Sequence, residues 1–478
     1  MTLLILSVVF PIIGGLILPL LNKIKERKVR LSIVVLIQAI ETIFGLMIIF
    51  GGNISTGSFT LVDQLSIGFT ADAVAKFFVA LVVIGWMLVT LYACVYMKHE
   101  KNEMRFFLFM LLSEGAMIGA ALSQNLISMY IFYEMVTLFS MPLVLHSLSK
   151  ESVAAAKKYL YYSVAGAFLA LFGIFVLATN SETLSFITGG TEIAATPLVL
   201  AGVFTMILGF GAKAGLFPMH GWLPTAHPVA PAPASALLSG LIAKAGVLTI
   251  IRTIFFFVGT DALSGTWVQT VALTFALLTV LMGSMMAYLE KGFKKRLAFS
   301  TVSQISYVLT GLFLFTGEGF NGALWQIVFH AVVKVGLFLC AGAVIFMYGK
   351  TEIKDLAGLG KKMPITFTCF TILSLSLIGI PPTGGFYSKW YIATAALDAQ
   401  LGALSWIAPI ILLISAILTA AYLLSISISA FFGKSEESTD VKVREPLLMV
   451  IPIIVLTVIA VAGGIFSVAT NGMLTSIL

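Results

Sequence analysis

Residues 209–244 read GFGAKAGLFPMHGWLPTAHPVAPAPASALLSGLIAK, and the reading of this stretch decides the fold. It lies in sequence apolar enough to cross a bilayer. Yet it carries Lys213 and Lys244, His220 and His227, and prolines at Pro218, Pro224, Pro228, Pro231 and Pro233. A lysine at membrane depth costs roughly 3 kcal/mol on insertion scales, and a proline inside a helix removes a backbone hydrogen bond. In lipid, backbone groups freed by such a break need water or polar neighbours, so a broken helix beside an ammonium marks a hydrated cavity.

Working outward, the chain of 478 residues is 59% hydrophobic and only 10% charged, against about 25% charged in soluble domains. It reads as a polytopic membrane protein. A span takes about 20 apolar residues, and fourteen such segments follow one another. Spans seven (196–222) and twelve (364–397) are longer than a bilayer needs and are interrupted, at Pro218 and at Pro381 and Pro382 within GIPPTGGF. The two broken spans are five apart and antiparallel, the pattern of inverted-topology repeats. The expected fold is therefore an all-α polytopic membrane protein of about 14 transmembrane helices with two inverted five-helix repeats, each holding a broken helix. The expected divisions are 1–104 (spans one to three), 105–257 (first repeat), 258–432 (second repeat) and 433–478 (a cytoplasmic loop and span fourteen).

Loop charges test the count. Of 28 Lys and Arg residues, 22 fall in loops after odd-numbered spans, in groups beginning at Lys23, Lys98, Lys150, Lys291, Lys350 and Lys434; loops after even-numbered spans hold none. By the positive-inside rule the odd exits are cytoplasmic, and both termini lie outside a cell inner (plasma) membrane. Basic residues follow the first apolar segment instead of preceding it, so that segment reads as a span and not as a cleavable signal peptide.

Six basic residues remain inside spans: Lys76, Lys213, Lys244, Arg252, Lys334 and Lys389. Lys76 and Arg252 lie near span ends, where long side chains reach the interface. The others lie deeper. Lys213 has a structural reading, a lysine paired with a carboxylate to hold two helices together, and a functional one, a proton carrier whose affinity answers to a nearby charge. Glu134, in YIFYEMVTLF, is the candidate counter-ion. His330 and Lys334, spaced i and i+4, share one helix face. Glu134, Lys213, Lys244, His330, Lys334 and Lys389 together supply stations for proton hopping along the membrane plane. His220 and His227 flank the break of span seven without Cys, Asp or Glu near them in sequence, so they suit helix ends and lysine hydration better than a metal. Glu41 and Glu114 read equally as cation ligands or as interhelical hydrogen-bond partners.

Cys94, Cys340 and Cys369 are isolated in apolar runs, which argues against an iron–sulfur or zinc site in this chain. No soluble domain is visible to hold a nucleotide or redox centre, and no cofactor is expected.

The same residues carry a resemblance. IFYEMVTLFSMPL, AKAGLFPMHGWLPTAHPVAPAPASALLSGLIAKAG, KRLAFSTVSQISYVLTG, FHAVVKVGLFLCAG, LAGLGKKMPITF and SLIGIPPTGGFYSKW are similar to the antiporter-like subunits of respiratory complex I, membrane-bound hydrogenases and Mrp cation/proton antiporters. They cover most of residues 105–400. The resemblance implies half-channels through the broken helices, a modulating pair Glu134 and Lys213, central carriers Lys244, His330 and Lys334, and Lys389 gating the second half-channel. It implies partners among other membrane subunits, homologous ones included, and hydrophilic iron–sulfur subunits. Lys389 resembles the N and L types of complex I and Mrp subunits A and D, and departs from the M type, which has glutamate there. With fourteen spans read in the sequence, the lateral helix of the L type is not expected. The expected function is proton translocation within a multi-subunit complex, with Na+ coupling as an open variant. The alternatives are a quinone-binding redox subunit, or a scaffold with a non-conducting channel.

Overall fold

The computed structural model describes residues 1–62, 65–191, 193–434 and 444–475. Lys442, most of the polar stretch 433–445 and the last three residues, on which the loop-charge and C-terminal expectations partly rest, lie outside the described residues.

The chain is a succession of helices: α1 (Thr2–Ile17), α2 (Arg27–Phe50), α3 (Ala73–Tyr96), α4 (Glu103–Leu122), α5 (Leu126–Val144), α6 (Lys150–Ala178), α7 (Pro197–Ala214), α8 (Leu223–Val229), α9 (Ala232–Leu237), α10 (Lys244–Thr253), α11 (Trp267–Leu289), α12 (Phe293–Phe313), α13 (Gly317–Tyr348), α14 (Leu359–Lys362), α15 (Pro364–Ile378), α16 (Gly384–Asp398), α17 (Ala403–Phe432) and α18 (Leu447–Thr475). Between α2 and α3 a short antiparallel pair, β1 (Phe59–Val62) and β2 (Leu65–Ile67), sets Phe59 opposite Ile67. The three-residue connection between α4 and α5 is a true turn, since Asn125 caps α5 by accepting from the Ser128 amide at 2.7 Å. An N-cap of this type satisfies an orphan donor of the first turn.

Among the described residues, twelve helical segments are individually long and apolar enough to cross a membrane. The two expected spans outside that set are the tenth and twelfth. Span ten, α12, opens with Lys294, Lys295 and Arg296 and continues through Ser300, Thr301, Ser303, Gln304 and Ser306, which lowers its hydropathy. Span twelve is divided between α15 and α16, each 15 residues long.

Both broken spans end their first half in the same way. Gly215 closes α7 with φ +79°, and Gly379 closes α15 with φ +94°. Leu216 N donates to Gly211 O at 2.9 Å and Ile380 N to Leu375 O at 3.1 Å, the backbone pattern of a Schellman cap. Glycine, free of the Cβ clash at positive φ, therefore ends each helix, and the prolines start the connection. Each break also reads Gly-x-x-Pro with a cis peptide before that proline, Phe217–Pro218 and Pro381–Pro382.

Burial identifies the centre. In the segment Ala232–Val258 the most apolar window is 100% buried, and in α13 94%, against 28% in α2 and 33% in α17. The central segment is also irregular. Two π-helical turns, Leu238–Ile242 and Ile254–Val258, flank α10. Its Arg252 corrects the expectation of a side chain reaching the interface. It is fully buried and bonds Asp72, at the cap of α3, through both terminal nitrogens at 2.6 and 2.7 Å. Lys294 and Arg296, read as loop charges, are likewise largely buried at the start of α12, donating to the carbonyls of Ala230 (2.5 Å) and Tyr422 (2.9 Å).

Candidate functional site

The buried ionisable groups lie on helices packed in series. α10 packs on α5 and α7, α12 packs on α8 and α13, and α13 packs on α16. At one end Lys213, in the last turn of α7, is fully buried. Its Nζ donates to Tyr133 O (2.9 Å) and Thr137 Oγ1 (2.6 Å) on α5 and lies 4.0 Å from the Tyr133 ring centre. Glu134 sits on that same stretch of α5, half-buried, with Oε1 unpartnered and no ion pair to Lys213. The sequence placed Lys213 opposite Glu134; the structure places it against the two residues that flank Glu134's turn.

Lys244 begins α10 immediately after the first π turn. That turn bonds Ala243 N to Leu238 O at 3.0 Å, which leaves the Ser239 carbonyl free of its usual helical donor. Lys244 Nζ takes it at 2.9 Å and meets His330 Nδ1 at 2.5 Å. A π turn inserted in an α-helix is a frequent companion of functional sites, and here it aims a carbonyl at the ammonium.

One helical turn along α13, Lys334 Nζ donates to Leu297 O at 3.0 Å and to the Ser300 hydroxyl. His330, Gln304, Gln326, Ser376 and Lys389 line one narrow polar seam, stitched by Gln326 Nε2 to Gln304 Oε1 (3.2 Å) and Ser388 Oγ to Gln326 Oε1 (2.6 Å). Lys389 reaches back across its break to the carbonyls of Leu377 (2.5 Å) and Ile378 (3.0 Å), the C-terminal end of α15. Unpaired carbonyls and the negative end of the helix dipole favour a cation there. At the equivalent end of α7 the indole of Trp222 donates to Ala212 O at 2.8 Å, so Lys213 is left to address α5. The amide of Phe217, freed by the first break, donates to Thr279 Oγ1 on α11 at 3.0 Å.

Among the described residues no carboxylate lies in ion-pair range of Lys213, Lys244, Lys334 or Lys389.

The remaining candidates are dispersed. His220 stacks on Phe217 with ring centres 6.0 Å apart, and Nδ1 is unpartnered. His227 is fully buried against Phe338 at 4.8 Å, with both ring nitrogens unpartnered. Pro218, Pro381 and Pro382 lie in the two connections. Glu41 and Glu114 are fully buried on α2 and α4, outside the lysine row. Sequence reasoning assigned no role to Thr137, Ser239, Ser300, Gln304 or Gln326, and it read Lys294 only as a loop charge. The signal available for two of them, Ser300 and Gln304, was the run of Ser, Thr and Gln in span ten.

These features define a class: a polytopic antiporter-like membrane subunit, with two broken helices bracketing a row of buried lysines. The chain belongs to the NADH:quinone oxidoreductase/Mrp antiporter transmembrane family, whose sequence profile matches residues 123–419. It is 32% identical to Na(+)/H(+) antiporter subunit A1 of Staphylococcus haemolyticus over 98% of this chain, and spans 61% of the length of that protein. It is 29% identical to NADH-quinone oxidoreductase subunit N of Desulforudis audaxviator, covering 83% of this chain and 81% of that one. Its fold matches a chain of the Mrp complex from Dietzia sp. DQ12-45-1b (TM-score 0.85, 22% identity, 100% of this chain and 97% of that one). It also matches a chain of the archaeal membrane-bound sulfane sulfur reductase (TM-score 0.88, 23% identity, again 100% and 97%). These relatives and structures come from multi-subunit membrane complexes.

Proposed function

We propose that the chain translocates protons as one subunit of a multi-subunit complex in the cell inner (plasma) membrane, through the row Lys213, Lys244, His330, Lys334 and Lys389, with Glu134 modulating Lys213. The observation that carries this reading is the 2.5 Å contact of Lys244 Nζ with His330 Nδ1 at the fully buried centre, within the reach proton transfer requires. Units 105–257 and 258–432 supply the two half-channels, each around its Schellman-capped break. Loop charges orient odd span exits, and hence the broken helices, with both termini outside.

The chain needs no cofactor of its own in this reading. Homologous antiporter-like subunits are its neighbours, hydrophilic iron–sulfur subunits join them in a redox-driven assembly, and Na+ coupling accompanies the Mrp type. Co-purification separates these parent complexes. Replacing Lys213 by Ala in the assembled complex and measuring proton uptake into vesicles tests the reading. Loss of transport with assembly intact supports it, and an unchanged rate contradicts it.

A further inference from the structure

A second polar cluster lies in the N-terminal helices, apart from the lysine row. The buried stripe of α2 is Val34, Gln38, Glu41, Gly45 and Ile48. That spacing puts Gln38 and Glu41 on one face. Gln38 Nε2 donates to Glu114 Oε1 on α4 at 2.7 Å, and Thr90 on α3 lies 3.3 Å from Gln38 Oε1 while its hydroxyl bonds Trp86 O at 2.8 Å. Glu41 and Glu114 are each 0% exposed and lie within each other's field. Both oxygens of Glu41 and Oε2 of Glu114 have no hydrogen-bond partner.

Among the described residues no basic group pairs with either carboxyl. α1 carries no charged residue at all. Arg27 and Arg30 at the start of α2 are bound to Glu103 on α4, Lys28 is exposed, and Arg105 at the start of α4 holds the His146 carbonyl. On α3, Lys76 bonds Gly51 O and Asn53 at the far end. Of the helices behind α4, α5 adds only Glu134, and α10 adds Lys244 and Arg252, already bound to His330 and Asp72.

Two dry carboxyls with three open acceptor oxygens and no donor hold their protons unless a cation balances the ionised form, so a cation that enters here displaces a proton. Carboxylate and amide oxygens select hard cations. Calcium would take six to eight oxygens and magnesium would keep several waters, more than this tight face presents. We propose that Glu41 and Glu114, with Gln38 between them, bind Na+ between α2, α3 and α4. The site deepens, and rests on, the reading of the chain as a cation-translocating subunit.

Dicyclohexylcarbodiimide, a lipid-soluble carboxyl reagent, tests it on the purified assembled complex without any ion gradient. Labelling of Glu41 is followed by peptide mass spectrometry with Na+ or choline at constant ionic strength. At Na+ ten times its Kd about one site in eleven is free, so labelling falls about tenfold while choline leaves it unchanged. Glu114→Gln, which keeps Glu41 available to the reagent, abolishes the Na+ effect. Lys213→Ala leaves protection intact even where transport is lost, which separates this site from the relay. Absent labelling, or labelling indifferent to Na+, overturns the proposal.

Discussion

The ammonium of Lys213 rests on a hydroxyl and a carbonyl of α5. Thr137→Val removes the hydroxyl and keeps the shape, so it is expected to destabilise by about 1.5–3 kcal/mol, the value of a hydrogen bond to a charged group. Thermal unfolding of the detergent-solubilised assembly reads this, and Thr137→Ser restores it. Asp72→Asn strips the buried Arg252 of its carboxylate. Breaking a buried pair costs about 3–5 kcal/mol, and with Asp72 33% exposed the lower end applies. In the turn after α5, burial, then the charge of Arg105, lowers His146 to about 4. The folded state thus binds this proton less readily than the unfolded one. Its contribution is complete above the ordinary histidine value and is lost as pH falls toward 4, and His146→Gln is expected to flatten that acid limb of the unfolding profile. Lys213, Lys244 and Lys389 were legible in the sequence because ionisable residues are rare at membrane depth. Their partners were not. Hydroxyls in helices commonly bond the carbonyl one turn back, as Thr249 does with Ala245 and Ser306 with Val302, so nothing in the sequence marks Thr137 or Ser300 as facing a lysine.

At the scale of elements, the two breaks are built alike and are expected to fail alike. Gly215→Ala and Gly379→Ala force a Cβ into left-handed backbone, costing roughly 1–2 kcal/mol each. Circular dichroism melts of the assembled complex check both, and a silent Gly379→Ala would contradict the equivalence of the caps. The prolines lie inside these breaks, as their positions in the sequence suggested, and each preceding helix is closed by a glycine three residues before the cis-proline. The π turn before Lys244 has no compositional mark, because it inserts one residue into an otherwise ordinary helical run. Helix α12 shows the reverse difficulty. Its Lys294 and Arg296 read as loop charge by count, whereas their long stems carry the charges inward to carbonyls of Ala230 and Tyr422.

For the whole molecule, composition alone gave the membrane class, and segment length gave the order of the spans, since the long described helices and the α15–α16 pair fall where apolar runs stood, while the short α8 and α14 fall between runs. What no one-dimensional reading supplied is the series in which α5, α7, α10, α13 and α16 bring distant lysines into one row. That order follows from packing, with the segment Ala232–Val258 enclosed, and α13 nearly so, by helices that keep an outer face apolar. The central claim is that this row conducts protons through the Lys244–His330 contact. Proton uptake into vesicles holding the assembled complex with Lys244→Met measures it most directly. The account predicts an assembled complex whose proton transport is lost; transport at the unmodified rate would contradict it.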